Sequence, residues 1–149
     1  MEFKKVKITD VDLINKIIEI EEEVFGVNGG ADAWLVKAFV RYGMILIIME
    51  GEEIVSVAEY MQVMNKKELF LYGFLTREPY RNKGYGNKLI EYGEKKAIEL
   101  GMEKISLTVD PKYTIGLNMY KKKQYEILEF QKDEYGTGVD RYLVGKKLI

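Results

Sequence analysis

The most informative segment for the fold is Arg81-Asn82-Lys83-Gly84-Tyr85-Gly86, because a strand pattern precedes it and a helix pattern follows it. An apolar run at residues 69–75 precedes it, and a helical pattern of apolar residues begins at Asn87. A strand, a glycine-bearing loop and a helix in this order present free backbone N–H groups and the positive end of a helix dipole to an anion. The sequence therefore predicts a site for a phosphorylated ligand. A tight turn that binds nothing is the alternative that the glycine pair alone leaves open.

The composition of the 149 residues limits the class of protein. Apolar residues make up 47% of the chain, which suits one compact domain over residues 1–149. The net charge of −1 argues against a nucleic-acid partner, which usually requires a basic excess. The longest apolar stretch, residues 44–49, is too short for a bilayer, and the N-terminus has no apolar signal core. We therefore predict a soluble, cytoplasmic protein without a membrane partner.

Two missing residue types limit the chemistry. The chain contains no Cys and no His. Disulfides, thiolate catalysis and cysteine zinc sites are thereby excluded, and the commonest general base and metal ligand is absent. Any catalysis must use carboxylates, Tyr, Lys, hydroxyls, backbone groups or water, and we predict no metal.

The periodicity of apolar residues predicts an α/β domain with about seven strands and four helices. The strands are predicted at about 3–8, 44–49, 54–64, 68–76, 104–109, 125–131 and 139–148, and the helices at about 12–25, 33–42, 87–100 and 113–123. Short links between three successive strands favour a mixed, mostly antiparallel sheet. Strand 68–76, helix 87–100 and strand 104–109 form a parallel crossover, whose carboxyl edge carries the loop.

Three local features of the helices are specific predictions. Thr9 and Asp12 have the spacing of a capping box for the first helix, and Asp32 is the predicted N-cap of the second. Gly93 lies within the third helix and predicts a close approach of that helix to the sheet. The apolar stripe of the second helix is predicted to consist of Trp34, Leu35, Ala38, Phe39 and Tyr42.

The glycine loop differs from two well-known phosphate loops. A Walker loop requires Lys and Ser or Thr after its last glycine, but Asn87 follows Gly86. A dinucleotide fingerprint requires a third glycine where this chain has Leu89. Gly84 and Gly86 are both expected to provide access to positive φ and room for a phosphate.

The loop resembles the Arg/Gln-x-x-Gly-x-Gly/Ala signature of the GCN5-related N-acetyltransferase (GNAT) superfamily, which joins the fourth strand to the third helix. Downstream, Met-Tyr-Lys-Lys-Lys-Gln-Tyr at residues 119–125 is similar to the family's Leu-Tyr-x-x-x-Gly-Phe-like sequence. The predicted element order matches that fold along essentially the whole chain. The resemblance implies a single GNAT-like domain over residues 1–149.

The same resemblance implies acetyl-CoA, or another acyl-CoA, as the donor. Main-chain groups of strand 68–76 would pair with pantetheine, and an amide near Leu75 would stabilise the oxyanion. Loop amides would hold the pyrophosphate, and Tyr113 would stack against the cofactor where the family often has Asn. The residues thus assigned to the cofactor are Phe74, Leu75, Thr76, Arg81, Asn82, Lys83, Gly84, Tyr85, Gly86, Asn87 and Tyr113.

Tyr120 matches the family tyrosine that approaches the CoA sulfur. Its phenol can protonate a departing thiolate, whereas a buried aromatic on an amphipathic helix is the alternative. Gln124 stands where the family usually has Gly, so the helix must end without a glycine cap.

Without His, the general base is a carboxylate acting through water, or no side chain at all. By family analogy Glu59 is the first candidate, followed by Glu22 or Glu23 at the end of the first helix. A solvent-facing Glu59 is the leading interpretation, and a cleft position with a raised pKa is the other. The acidic run is interpreted first as a solvated face and second as an attractor of a cationic amine; it comprises Glu19, Glu21, Glu22 and Glu23.

Together these features predict an N-acetyltransferase that moves an acetyl group from acetyl-CoA directly to a primary amine of a small molecule or peptide. A homodimer is a further expectation from the family. The main alternative is a non-catalytic CoA-binding sensor or scaffold with a GNAT-like fold.

Overall fold

The computed structural model describes all residues, 1–149, and contains seven strands and four α-helices. The strands are β1 (Glu2–Lys5), β2 (Met44–Glu50), β3 (Glu53–Gln62), β4 (Glu68–Thr76), β5 (Lys104–Val109), β6 (Glu126–Gln131) and β7 (Arg141–Lys147). The helices are α1 (Val11–Phe25), α2 (Ala33–Tyr42), α3 (Tyr85–Glu99) and α4 (Thr114–Lys122), and a short 3₁₀ helix, Glu78–Tyr80, precedes α3. The predicted element order is confirmed.

All seven strands belong to one sheet in the order β1-β2-β3-β4-β5-β7-β6. Strand β4 pairs in parallel with β5, from Glu68 opposite Lys104 to Leu71 opposite Leu107. The pairs β1–β2, β2–β3, β5–β7 and β6–β7 are antiparallel. The prediction of a mixed, mostly antiparallel α/β sheet is therefore confirmed.

The chain forms two compact units, the first comprising Met1–Met61 and Tyr72–Lys95. Strand β2 is buried along almost its whole length because this unit covers both of its faces. On one face, Ile14 and Ile17 of α1 and Phe39 of α2 join Ile45 and Ile47 of β2 in one apolar cluster. That cluster fixes the two helices against the strands that carry the candidate site.

The second unit comprises Gln62–Leu71 and Lys96–Ile149. Its buried apolar residues come from β4, β5, α4 and β7, and include Leu71, Leu107, Leu117 and Val144. Glu68 is tied to β5 because its carboxylate accepts a hydrogen bond from the Ser106 hydroxyl at 2.6 Å. The single domain over residues 1–149 stays a prediction.

The predicted capping box of α1 is wrong, and the predicted N-cap of α2 is confirmed. Helix α1 begins at Val11, and Asp10 accepts a hydrogen bond from the Lys7 N–H at 2.8 Å instead of capping the helix. The Thr9–Asp12 capping box therefore does not form. Asp32 caps α2 as expected, since its Oδ1 accepts the Leu35 N–H at 2.9 Å.

The predicted apolar stripe of α2 is wrong at three of its five positions. Trp34 and Tyr42 are each 86% exposed and Ala38 is exposed as well, whereas Val36 and Phe39 are buried. An α-helix has 3.6 residues per turn, so when Val36 and Phe39 face the sheet, Trp34 lies on the solvent side. The buried face of α2 is therefore rotated by about one residue from the predicted one, and it consists of Leu35, Val36, Phe39 and Val40.

Two glycine-related predictions concern helices α3 and α4. A Cβ built on Gly93 would lie 2.1 Å from Tyr60 Oη, which confirms the close approach of α3 to the sheet. Gln124, after α4, adopts a left-handed φ of 74° without being glycine. Its N–H donates to the Lys121 carbonyl at 3.0 Å, and the Tyr125 N–H donates to the Tyr120 carbonyl at 2.9 Å. The helix thus ends in a glycine-type geometry with a side chain that strains it.

None of the four helices combines the length and the apolar composition needed to cross a bilayer. The cytoplasmic location stays a prediction.

Candidate functional site

The glycine loop uses two left-handed positions, but only one of them is a glycine of the motif. Asn82 has a φ of 63° and Gly84 a φ of 85°. Gly86 does not adopt positive φ, so that expectation is wrong. A Cβ on Gly86 would lie 3.3 Å from Cζ of Phe74, so glycine serves there for close packing on β4.

The backbone N–H groups of this loop are free. None of those from Asn82 through Asn87 donates a hydrogen bond to another group of the protein, and the first bond of the helix runs from the Lys88 N–H to the Gly84 carbonyl at 3.2 Å. The first N–H groups of a helix have no intrahelical acceptor, and the helix dipole gives that end a partial positive charge. The loop therefore offers an anion consecutive donors at the start of α3.

Side chains hold this loop in place from both ends. Arg81 Nε donates to the Thr76 carbonyl at 2.9 Å, which ties the loop back to the end of β4. The Tyr85 hydroxyl donates to Glu50 Oε1 at 3.0 Å and fixes the first turn of α3. Lys83 is exposed and adds positive charge beside the free amides.

The end of β4 is held by a buried serine. The Ser56 hydroxyl donates to the Leu75 carbonyl at 2.7 Å and lies 3.0 Å from Thr76 Oγ1. The Leu75 carbonyl is therefore already hydrogen-bonded, and the side chain of Leu75 is buried. These contacts fix the backbone that the sequence assigned to pantetheine.

Glu23 is excluded as a free base by its partner. Arg77 donates through Nε and Nη2 to the two carboxylate oxygens of Glu23, each at 2.9 Å, and through Nη1 to Glu53 at 3.2 Å. The hydrogen bond from Arg77 lowers the pKa of Glu23. Glu22 is exposed and has no such partner.

Glu59 is buried, and its leading interpretation as a solvent-facing residue is wrong. Only 1% of Glu59 is exposed, and its Oε2 has no hydrogen-bond partner. Burial, reinforced by a hydrogen bond and charge repulsion from Glu21, raises the pKa of Glu59 to about 9 from the ordinary 4.5. Glu59 faces the α1–α2 side of the sheet, because its register partner Ile45 belongs to the cluster on that face.

Glu21 is the second buried carboxyl at this position. It is 2% exposed, its Oε2 accepts the Ala31 N–H at 3.3 Å, and its Oε1 has no partner. The solvated-face interpretation is therefore wrong for Glu21. The sequence carried a signal for this burial, since Ile14, Ile17 and Glu21 follow the spacing of one helical face.

Two glycines make room for these carboxyls. A Cβ on Gly73 of β4 would lie 2.0 Å from Glu59 Oε1, and a Cβ on Gly30 would lie 2.8 Å from Glu21 Oε2. Glycine inside a strand often marks such a close approach. Gly73 lies inside the apolar run of β4, so this signal was present in the sequence.

Tyr113 and Tyr120 lie in the second unit. Tyr120 is 7% exposed and packs edge to face on Tyr125, with ring centroids 5.5 Å apart. Burial, together with the interaction with Tyr113, raises the pKa of Tyr120, so its phenol stays protonated at neutral pH. Tyr113 is exposed and packs on Gly116, where a Cβ would lie 2.5 Å from its ring.

The structure thus gathers the loop, the end of β4 and the two carboxyls in the first unit, and the two tyrosines in the second. No group of three or more Asp or Glu side chains is placed so that it could hold a metal ion. From the sequence, Glu21 was identified only as a member of the acidic run, and Gly73 and Ser56 were not identified at all.

Comparison with known proteins adds a family and a fold. The model of the Acetyltransferase (GNAT) family matches residues 14–124. No curated protein sequence matches the chain significantly.

Solved structures share the fold along the whole chain. The aminoglycoside 6'-N-acetyltransferase from Enterococcus faecium superposes with a TM-score of 0.85 and 15% identity, covering 100% of this chain and 98% of that one. An aminoglycoside 6'-N-acetyltransferase in complex with coenzyme A gives 0.84 and 16%, with coverage of 100% and 98%. The ribosomal-protein-S18-alanine N-acetyltransferase from Escherichia coli gives 0.82 and 14%, with coverage of 99% and 93%.

Proposed function

Because the chain belongs to the acetyltransferase (GNAT) family, we propose that it transfers an acetyl group from acetyl-CoA directly to a primary amine of a small molecule or peptide. The family membership confirms the resemblance inferred from the loop motif. The observation that carries the proposal is the row of free N–H groups from Asn82 to Asn87 at the positive end of α3. A diphosphate would satisfy several of these donors at once.

The remaining cofactor contacts follow from the same loop and strand. The loop amides and Lys83 hold the pyrophosphate, and main-chain groups of Phe74 and Thr76 pair with pantetheine. Ser56 already occupies the Leu75 carbonyl, so it orients the strand for this pairing. The N–H near Leu75 is the proposed donor to the oxyanion. Tyr113 is exposed and free to stack on the cofactor.

The proposed chemistry needs one base and one acid from this chain. In its ionised form, Glu59 takes one proton from the ammonium form of the acceptor, and the nitrogen then bonds to the thioester carbon. As the carbon–sulfur bond breaks, Tyr120 gives its phenol proton to the sulfur. The second proton that the nitrogen loses restores the phenol. Burial raises the pKa of Tyr120, which keeps the phenol protonated until the thiolate departs but also makes it a weaker acid than in water.

A binding and turnover assay tests the proposal. We expect acetyl-CoA to raise the unfolding temperature, and a panel of a polyamine, an aminoglycoside and an alanyl peptide to reveal acetyl transfer. Binding without transfer to any amine would favour the CoA-binding sensor or scaffold. The raised pKa of Glu59 favours that second candidate, since a protonated carboxyl is not a base. Absence of both binding and transfer would contradict the proposal.

A further inference from the structure

Two carboxyl groups that belong to different elements meet inside the first unit. Glu21 comes from α1 and Glu59 from β3, and the two carboxyls lie within hydrogen-bonding reach of each other. Both side chains are almost completely buried. A hydrogen bond between two carboxyl groups requires a proton, because two carboxylates are both acceptors.

The surroundings give these carboxyls no cation to neutralise them. Strand β2 places Ile45 opposite Glu59, β4 contributes Gly73, and the segment between the helices contributes the Ala31 N–H to Glu21. None of these three residues has an ionisable side chain. Arg77, which follows the end of β4, is engaged by Glu23, Glu53 and a backbone carbonyl. Two unpaired negative charges buried side by side are strongly unfavourable, so a proton is the simplest way to relieve them.

The local sequence is adapted to keep the pair together. Any side chain at Gly73 would push on Glu59 Oε1, and any at Gly30 would push on Glu21 Oε2 and on the Glu21 carbonyl. One oxygen of each carboxyl, Glu59 Oε2 and Glu21 Oε1, is left without a partner. The pair therefore has free positions at which a proton can be taken up.

We propose that Glu21 and Glu59 act as one unit that holds a single shared proton, and that Glu21 is the positioning residue that makes Glu59 a strong proton acceptor. This inference rests on the proposed function for its role in catalysis, but the shared proton does not.

The Glu21–Glu59 pair and the acceptor exchange one proton. In the doubly ionised form the pair takes one proton from the acceptor ammonium, and its charge changes from −2 to −1. The neutral amine can then attack the thioester. An acceptor group with the proton affinity of an alkylamine suits this exchange, because efficient transfer needs similar affinities on both sides.

Carbon-13 NMR of glutamate side chains measures the shared proton directly. In the wild type we expect the Glu59 Cδ resonance, assigned with Glu59→Gln, to titrate well above the ordinary value of 4.5. Glu21→Gln removes the like charge, so the Glu59 midpoint should fall. Glu22→Gln, an exposed neighbour, is the matched control and should leave it unchanged.

A Glu59 midpoint near the ordinary value in the wild type, or one that Glu21→Gln does not move, would overturn the shared proton. If Glu21→Gln does not fold, the wild-type titration alone still shows whether the Glu59 midpoint is raised.

The pH dependence of kcat/KM, measured with the best acceptor of the amine panel, tests the positioning role. Its lower limb should follow the NMR midpoint in both the wild type and Glu21→Gln. The role of Glu21 would be overturned if Glu21→Gln moved the NMR midpoint of Glu59 but left the lower limb of the kcat/KM profile at the same pH. If the midpoint moves but no protein transfers acetyl groups, the shared proton stands and the proposed function fails.

Discussion

The burial of Glu59 predicts how strongly the unfolding free energy depends on pH, and Glu59→Gln tests that prediction. The folded protein keeps Glu59 protonated, with a pKa of about 9, whereas the unfolded chain releases the proton near 4.5. The stability that this group contributes is therefore fully present below pH 4.5 and is lost as the pH rises towards 9. Each pH unit in this window lowers the unfolding free energy by about 1.4 kcal/mol. From pH 4.5 to pH 7 the loss is about 3 kcal/mol.

Gln has nearly the same shape but does not titrate, so Glu59→Gln should remove this pH dependence. The measurement is urea unfolding of both proteins at intervals from about pH 5 to pH 8, compared as the difference in unfolding free energy. The difference should shift in favour of Glu59→Gln by about 1.4 kcal/mol per pH unit. Glu22→Gln should show no such trend. A difference that is constant across the pH range would show that the pKa of Glu59 is not raised by folding.

Three further predictions concern single residues. Gly93→Ala should lower the unfolding free energy by about 1–3 kcal/mol, because its Cβ would meet the buried Tyr60 hydroxyl; an increase, as helix propensity alone predicts, would contradict this. Gln124→Gly should raise the unfolding free energy by about 1 kcal/mol by relieving a left-handed φ of 74°, with Gln124→Ala as the control that gains nothing. Tyr120→Phe should slow turnover while CoA affinity, measured by calorimetry, stays nearly unchanged; equal turnover would remove Tyr120 from the mechanism.

The elements and their order could be predicted from the sequence because each carries a local signal. Strands β4 and β5 have the predicted bounds, since apolar residues in both run up to clear breaks. The loop motif was found because its glycines stand between a strand pattern and a helix pattern. Asp32 was found because side-chain capping depends on residues only three positions apart.

The parts that sequence reasoning missed depend on contacts between distant segments. Whether Glu59 faces solvent or the α1–α2 side depends on what covers the sheet, and Glu21 lies 38 positions away. The exposure of Trp34 likewise depends on how α2 is rotated on the sheet. Arg77 binds Glu23 across 54 positions, which no local pattern indicates.

The proposed function requires that the amides of residues 82–87 bind the diphosphate of CoA. Proton–nitrogen NMR during a CoA titration measures this binding, because it reports each backbone N–H separately. We expect these six amides to shift most, and Gly84→Ala to weaken CoA binding about tenfold, an energy of about 1.4 kcal/mol. Gly51→Ala, at another open position with a left-handed φ of 59°, should leave binding unchanged. Unshifted loop amides, with CoA bound elsewhere or not at all, would show that the loop is not the diphosphate site.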